Sequence, residues 1–289
     1  MWKKIKERLR LYWELIKALQ TGLLLLTGIT GFITSKCPIM NYAIFISLIG
    51  SLFLSISGST VLNMVIDRDI DTRMGRTAKR PLPAGKIKPK EAIIVGLSLS
   101  LAGILWAFSL SILYGLLIFS GLFFDVVVYS MWLKRRTPWS IVWGGIAGAM
   151  PIIAGRALGV GKVDFIGILL GLSILLWIPT HILTFSMKYY TDYAKAGIPT
   201  FPSVYGFQKT RLIIAVSSVG SAISVGIGIT ALGLSWGYLR LLAVFSTGLL
   251  GLVFLSIIKP SERVNMGLFK YASLFMLSSM LILISGTLL

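Results

Sequence analysis

The chain of 289 residues has little cysteine, histidine and acidic charge. Its single cysteine, Cys37, excludes a disulfide framework and a thiolate metal cluster. His181 is the only histidine, and ten Asp and Glu face 28 Lys and Arg. No domain linker or low-complexity tract interrupts the chain, and its longest polar stretch covers residues 67–90. We therefore expect one domain over residues 1–289.

Apolar residues dominate instead. They make up 56% of the chain, and the mean hydropathy of +0.86 is typical of membrane proteins. The sequence predicts an all-α polytopic membrane protein, because nine apolar segments are each near the length that a helix needs to cross the hydrocarbon. These segments are residues 15–35, 42–66, 91–109, 112–132, 139–158, 165–187, 211–232, 237–258 and 268–288. The basic N-terminus leads into a full-length segment without a small-residue cleavage site, so no removable signal peptide is expected.

The net charge of +18 would suit nucleic-acid binding, but the distribution of the cations excludes that class. Most lie at the N-terminus and in the loops after spans two, four, six and eight. By the positive-inside rule, the N-terminus is expected in the cytoplasm and the C-terminus outside. A multi-pass protein of a prokaryotic plasma membrane, in contact with the lipid bilayer, is predicted. Topology and anionic-lipid contact also explain most of these charges, and Arg156 is expected as an interfacial charge near the outer end of span five.

An acidic motif, Asn63-Met-Val-Ile-Asp67-Arg68-Asp69-Ile70-Asp71, lies where an apolar run meets a basic loop. On a helix, Asn63, Asp67 and Asp71 are four residues apart and share one face. Carboxylates so close repel one another unless a cation joins them, and oxygen ligands suit Mg2+. The spacing predicts a magnesium–phosphate site. The alternative is a solvated helix end in which Asp69 pairs with Arg73.

A basic cluster follows the acidic motif. Arg76, Lys79 and Arg80 are within reach of it, and a diphosphate is commonly neutralised by a metal on one side and Arg or Lys on the other. Both clusters lie at the mouth of an apolar bundle, which predicts a lipid diphosphate whose tail lies among the helices. Alternatively, these cations only set the topology.

A second polar loop is predicted over residues 188–210. Asp192 in this loop could complete a second metal site facing the first, or could form an i,i+4 ion pair with Lys188. The neighbouring tyrosines, Tyr189 among them, could donate to phosphate or contact a developing cation through their ring faces.

Asp125 and His181 are ionisable residues that lie inside predicted spans. Asp125, unpaired at mid-bilayer, would cost about 2.5–3.5 kcal/mol, so it should face the bundle interior or a cavity. Tyr129 follows one turn later on the same face. His181 is either an axial ligand for haem iron or a histidine hydrogen-bonded between helices.

These motifs resemble the protoheme IX farnesyltransferase branch of the UbiA superfamily of intramembrane prenyltransferases. The superfamily has an Asn-x-x-x-Asp-x-x-x-Asp helix end, and the branch adds Met-x-Arg-Thr-x-x-Arg-Pro. The matching residues are Asn63, Asp67 and Asp71, then Met74, Arg76-Thr77 and Arg80-Pro81, with Leu133-Lys134-Arg135-Arg136 and Asp192–Pro199 also similar. Two departures are the shifted proline in Trp177-Ile178-Pro179-Thr180-His181 and the single aspartate, Asp192, in the second motif.

The resemblance implies a Mg2+-dependent prenyltransferase that uses farnesyl or longer prenyl diphosphate and a vinyl group of haem B, giving haem O. It assigns the metal and catalysis to Asn63, Asp67, Asp71 and Asp192. It assigns substrate binding to Arg76, Lys79, Arg80, Lys134, Lys188, Tyr129, Tyr189 and His181. Terminal oxidase assembly machinery is a further expected partner, and nucleic acid is not. Other acceptors stay open, namely an aromatic or quinone precursor or an archaeal glycerol phosphate lipid, and so does a haem or lipid transporter.

Overall fold

The structure is a computed structural model that describes residues 2–35 and 41–289. Lys36 and Cys37 lie outside the described residues. Within the described ranges the chain is helical, without β-strands. The helices are α1 (Trp2–Leu15), α2 (Ala18–Ile33), α3 (Tyr42–Ile66), α4 (Arg68–Arg73), α5 (Pro89–Leu110), α6 (Ile112–Leu122), a π-helical segment (Phe123–Leu133), α7 (Ser140–Val160), α8 (Phe165–Lys188), α9 (Tyr190–Lys195), α10 (Phe201–Ala231), α11 (Trp236–Ile258) and α12 (Glu262–Leu288).

The membrane-spanning character of the helices confirms the predicted class. Over the described ranges, eight helical stretches are long and apolar enough to span a membrane, with α6 and the π-helical segment counted as one. The first predicted span, residues 15–35, is instead part of a pair of helices, α1 and α2, bent by 55°. Lys17 lies at this bend in the left-handed backbone region (φ 47°), so the helix that continues into the bundle begins only at Ala18.

The two predicted polar loops are more helical than expected. In the first, α4 follows α3 after Asp67. In the second, α9 is followed at Phe201 by α10, so the helix that contains the predicted seventh span begins ten residues early. Thr200 forms a capping box with Ser203 and starts α10, and Gly206 (φ 81°) lets the chain kink before the spanning part.

The C-terminal halves of α2 and α7 are in backbone contact. A Cβ atom added at Gly31 would lie 2.0 Å from the carbonyl oxygen of Ile152, and one at Gly155 would lie 2.0 Å from that of Gly28. Glycine is required at both places, because any side chain would push the two helices apart.

Arg156 closes the same end of the bundle, which we call the glycine end (Gly28, Gly31, Gly155 and Arg156). Its Nε and Nη2 donate to the Asp164 carboxylate at 2.7–3.0 Å, and its Nη1 donates to the carbonyl oxygen of Thr34. The hydrogen bond from Arg156 holds the pKa of Asp164 below its ordinary value. Arg156 was expected as an interfacial charge, but it is buried because it joins α2, α7 and the start of α8.

Candidate active site

A cavity of about 400 Å³ lies between helices from both halves of the chain. Its polar lining gathers at the end of the bundle that carries the loops 67–90 and 134–139, which we call the basic end. The polar side chains there include Lys17, Gln20, Asn63, Asp67, Asp125, Tyr129 and Lys134. Its remaining walls are mainly apolar, with Leu24, Leu52, Ile56, Ile118, Ile174, Met276 and Met280. The cavity can therefore hold a polar head at one end and a hydrocarbon chain beyond it.

The acidic motif crosses a helix junction. Asp67 caps α3 (φ −86°, ψ 2°), and α4 begins at the next residue. The N–H groups of Asp67 and Asp71 still donate to the carbonyls of Asn63 and Asp67, at 2.9 and 2.8 Å. The four-residue spacing is thus kept in the backbone. Asn63 and Asp67 line the cavity, whereas Asp71 accepts a hydrogen bond from Arg80 at 2.9 Å.

The other charges of this motif are paired across the loops. Arg135 binds the Asp69 carboxylate through two nitrogens, at 2.6 and 2.8 Å, and this hydrogen bonding lowers the pKa of Asp69. The alternative Asp69–Arg73 pair is therefore not formed. Lys134 donates to Asp67. Burial lowers the pKa of Lys134, but electrostatic interaction with Tyr129 and with Asp67, together with the hydrogen bond to Asp67, outweighs burial and raises that pKa above its ordinary value.

The π-helical segment decides which of its residues face the cavity. The N–H of Lys134 donates to the carbonyl of Tyr129, five residues earlier, at 2.8 Å. From Asp125 to Lys134 a π-helix makes about two full turns, whereas an α-helix would make about two and a half. Asp125, Tyr129 and Lys134 consequently share one face and all line the cavity. This confirms the expectation that Asp125 faces a cavity.

Among the described residues, Oδ1 of Asn63 and Oδ1 of Asp67 are buried without a hydrogen-bond partner, as are the hydroxyls of Ser55 and Ser130 in the same cavity lining. Buried polar atoms are nearly always hydrogen-bonded, so an unpartnered pair of acceptor oxygens fits either a cation or a hydrogen-bond donor as its ligand. Carboxylate and amide oxygens are the ligands that Mg2+ prefers. The residues present thus fit a divalent cation at Asn63 and Asp67.

Lys17 is a site residue that the sequence did not reveal. Its left-handed backbone is costly for a residue with a side chain and is typical of functional positions. The side chain lines the cavity, and within the described ranges no carboxylate lies at ion-pair distance from it. In the sequence Lys17 is one of many N-terminal cations. Its position at the start of an apolar run was the only available signal.

The second motif packs against the first but outside the cavity. Tyr193, Ala196 and Ile198 form an apolar cluster with Ile70 and Met74. Asp192, on α9, is partly buried and does not line the cavity. Over residues 2–35 and 41–289, no three His, Cys, Asp or Glu side chains form a possible metal group. Asp192 is therefore not part of the cavity lining that contains Asn63 and Asp67.

The remaining predicted cations do not line the cavity. Arg76 stacks over the rings of Phe185 (4.7 Å) and Tyr189 (5.3 Å), so it links the first motif to the end of α8. Lys188 lies 3.9 Å from Glu262 rather than pairing with Asp192, because α8 ends between the two residues. Lys79 is exposed.

His181 also lines the cavity. Its ring stacks between Trp177 (4.9 Å) and Phe269 (4.4 Å), and its Nδ1 lies 3.2 Å from the hydroxyl of Ser273 on α12. The hydrogen bond between helices that the sequence left as an alternative is therefore formed.

The bundle and the cavity define a helical intramembrane protein with an apolar chamber that has polar groups at one end. More particularly, the chain belongs to the UbiA prenyltransferase family, whose model matches residues 24–279. It is 42% identical over 212 residues to the protoheme IX farnesyltransferase of Archaeoglobus fulgidus (73% of this chain, 74% of the relative). It is 38% identical over 261 residues to that of Pyrobaculum islandicum (90% and 92%).

Solved structures share the fold. A structure of digeranylgeranylglyceryl phosphate synthase matches with a TM-score of 0.81 at 22% identity, covering 97% of this chain and 99% of that one. A UbiA homologue from Archaeoglobus fulgidus bound to GPP and Mg2+ matches with a TM-score of 0.68 at 16% identity, covering 95% and 99%. At these identities the likeness concerns the fold alone.

Proposed function

We propose that this chain transfers a farnesyl, or longer prenyl, group from prenyl diphosphate to a vinyl group of haem B, giving haem O. For the prenyl donor, the proposal rests on one observation. The oxygens of Asn63 and Asp67 are buried without a partner at the polar mouth of an apolar cavity. The acceptor is supported by relatives named protoheme IX farnesyltransferase that are 38–42% identical to this chain.

Asn63 and Asp67 would hold Mg2+, which when bound neutralises charge on the diphosphate as it leaves. The UbiA homologue bound to GPP and Mg2+ supports this choice of cation. We retain Asp71 and Asp192 as proposed further ligands, although Asp71 pairs with Arg80 and Asp192 lies outside the cavity in this structure.

Lys134 and Lys17 are proposed to donate to the diphosphate oxygens, because both line the polar mouth of the cavity. Arg76, Lys79, Arg80 and Lys188 are proposed to add positive charge at the rim, and Tyr189 to hold Arg76 there. As the carbon–oxygen bond breaks, diphosphate leaves with the electron pair and an allylic cation is left among apolar walls. These walls exclude water until the acceptor attacks.

The haem vinyl group is proposed to approach between Tyr129 and His181, which line the same cavity. Its terminal carbon bonds to the allylic cation, and the positive charge passes to the carbon next to the porphyrin ring. Water adds to that carbon and loses a proton, which gives the hydroxyl group. The free Nε2 of His181 makes no hydrogen bond within the described ranges and is the proposed contact to haem iron.

The whole chain is proposed to act as one domain of the prokaryotic plasma membrane. The excess of Lys and Arg in the loops of the basic end supports a cytoplasmic active site, with the N-terminus inside and the C-terminus outside. Contact with terminal oxidase assembly machinery is part of the same proposal.

The test is to incubate membranes containing the chain with haem B, farnesyl diphosphate and Mg2+, and to search for prenylated haem by mass spectrometry. Haem carrying one farnesyl group and one added water is expected. Membranes with Asp67→Asn are the matched control. Parallel reactions with 4-hydroxybenzoate and with a glycerol phosphate lipid separate the other acceptors, and a product with either of them but not with haem B would contradict the proposal.

A further inference from the structure

Asp125 has no role in the steps above, although it lies at the centre of the site. It is on the π-helical segment, and its Oδ2 accepts a hydrogen bond from Nδ2 of Asn63 at 2.7 Å. The two residues lie on elements far apart in the sequence, and both line the cavity. The contact exists because the π-helical turn points Asp125 toward α3 (Tyr42–Ile66).

The hydrogen bond fixes which end of the Asn63 amide faces the cavity. An amide has a donor end and an acceptor end of nearly the same size, and a carboxylate has only acceptor oxygens. The Asp125 carboxylate can therefore bind only the NH2 end of the Asn63 amide. The other end, Oδ1, is left buried and without a partner, as is Oδ1 of Asp67.

We infer that Asp125 is a positioning residue that turns the carbonyl oxygen of Asn63, rather than its NH2 group, toward the divalent-cation site. This inference rests on the proposed function, since it concerns the cation that accompanies the prenyl diphosphate. Without an acceptor at position 125, the Asn63 amide is free to rotate, and its NH2 group in the cation site repels a metal. Partners that orient a metal ligand typically change metal affinity by about 10- to 100-fold when they are removed.

The experiment measures Mn2+ binding to the purified full-length chain by electron paramagnetic resonance, with farnesyl thiolodiphosphate present as an unreactive donor. Asp125→Leu keeps the side-chain size but removes the acceptor. We expect it to raise the Mn2+ concentration at half saturation by about 10- to 100-fold. Asp125→Asn keeps an acceptor oxygen and should stay within about threefold of the parent chain. Val127→Leu, on the same segment but exposed, is the control and should change nothing.

A coupling measurement separates orientation from general damage. In an Asn63→Ala background, Asp125→Leu should add no further loss, because the amide on which it acts is gone. If Asp125→Leu fails to fold, Asp125→Ala carries the same expectation.

Unchanged Mn2+ affinity in Asp125→Leu would overturn the inference. An Asp125→Asn variant as weak as Asp125→Leu would also overturn it, since charge rather than orientation would then be responsible. A full additional loss in the Asn63→Ala background would do the same. Absence of Mn2+ and thiolodiphosphate binding by the parent chain would instead contradict the proposed function itself.

Discussion

The two ends of the bundle bury polar groups in opposite ways. At the glycine end, α2 and α7 touch through their backbones, and the polar atoms of Arg156 are all hydrogen-bonded. At the basic end, the same two helices line a cavity, and oxygens of Asn63 and Asp67 are buried without a partner. Buried polar atoms that are all hydrogen-bonded hold the helices together. Buried oxygens without a partner can instead bind a ligand.

Pro151 in α7 lies near the boundary between the closely packed glycine end and the cavity. Its carbonyl oxygen would lie 3.3 Å from a Cβ at Gly28, and residues of α7 before it line the cavity. Contact at the glycine end thus fixes the distance between the helices where the cavity begins. The difference between the two ends predicts that changes at the glycine end mainly lower stability and that changes at the basic end mainly lower activity.

The largest effect is expected for Asp67→Asn. It removes a proposed metal ligand and the partner of Lys134, and we expect a loss of prenyl transfer of about 100-fold or more. The rate of prenylated haem formation measures it. Asp69→Asn is the control, because Asp69 is half exposed and paired with Arg135 outside the cavity, and it should change the rate by less than about twofold. Equal losses in both variants would sink the assignment of Asp67.

Arg156→Met tests the prediction that the glycine end supports stability rather than activity. Breaking a buried ion pair costs about 3 kcal/mol, because the partner charge loses its compensation. Asp164 is partly exposed and can regain some hydration, so the loss should not be much larger. We expect a clearly lower melting temperature in detergent with unchanged prenyl transfer per folded molecule. A selective loss of transfer with unchanged melting would show that this end takes part in the chemistry.

Gly155→Ala should separate α2 from α7. The added Cβ lies 2.0 Å from a backbone oxygen that cannot rotate away, so we expect destabilisation of about 2 kcal/mol. Gly22→Ala, on α2 with nothing within 4 Å of the added atom, is the matched control and should be neutral or slightly stabilising. Thermal unfolding of both variants is the measurement. Equal melting temperatures of the two variants would show that Gly155 is not required for the packing of α2 against α7.

Lys17→Gln should give the smallest effect of the four variants, a change in KM without a change in stability. It removes a cation that lines the cavity without a carboxylate partner, so we expect about a tenfold higher KM for prenyl diphosphate with no loss of stability. Lys86→Gln, in the exposed part of the loop, is the control and should leave KM unchanged. An unchanged KM in Lys17→Gln would remove Lys17 from the donor site.

Most features of the fold that depend on local sequence patterns could be predicted from the sequence. Hydropathy gives the spans, and the four-residue spacing gives Asn63 and Asp67 as neighbours on one face. The start of α10 was missed because the polar residues before position 211 resemble a loop, although Thr200 and Ser203 form a capping box. Asp71 was predicted beside Asp67, but its pairing with Arg80 depends on how the loop after α4 folds back.

The sequence by itself therefore determined the membrane class, the number of spans to within one and the motif that we propose for the donor chemistry. Each follows from composition or from spacing along one helix. Only the tertiary structure decided that Lys17 lines the cavity, that Asp125 contacts Asn63, that Asp192 lies outside the cavity and that Arg156 is buried and joins three helices. The physical reason is that these outcomes depend on a π-helical turn, a left-handed residue and contacts between distant helices, none of which a local pattern specifies.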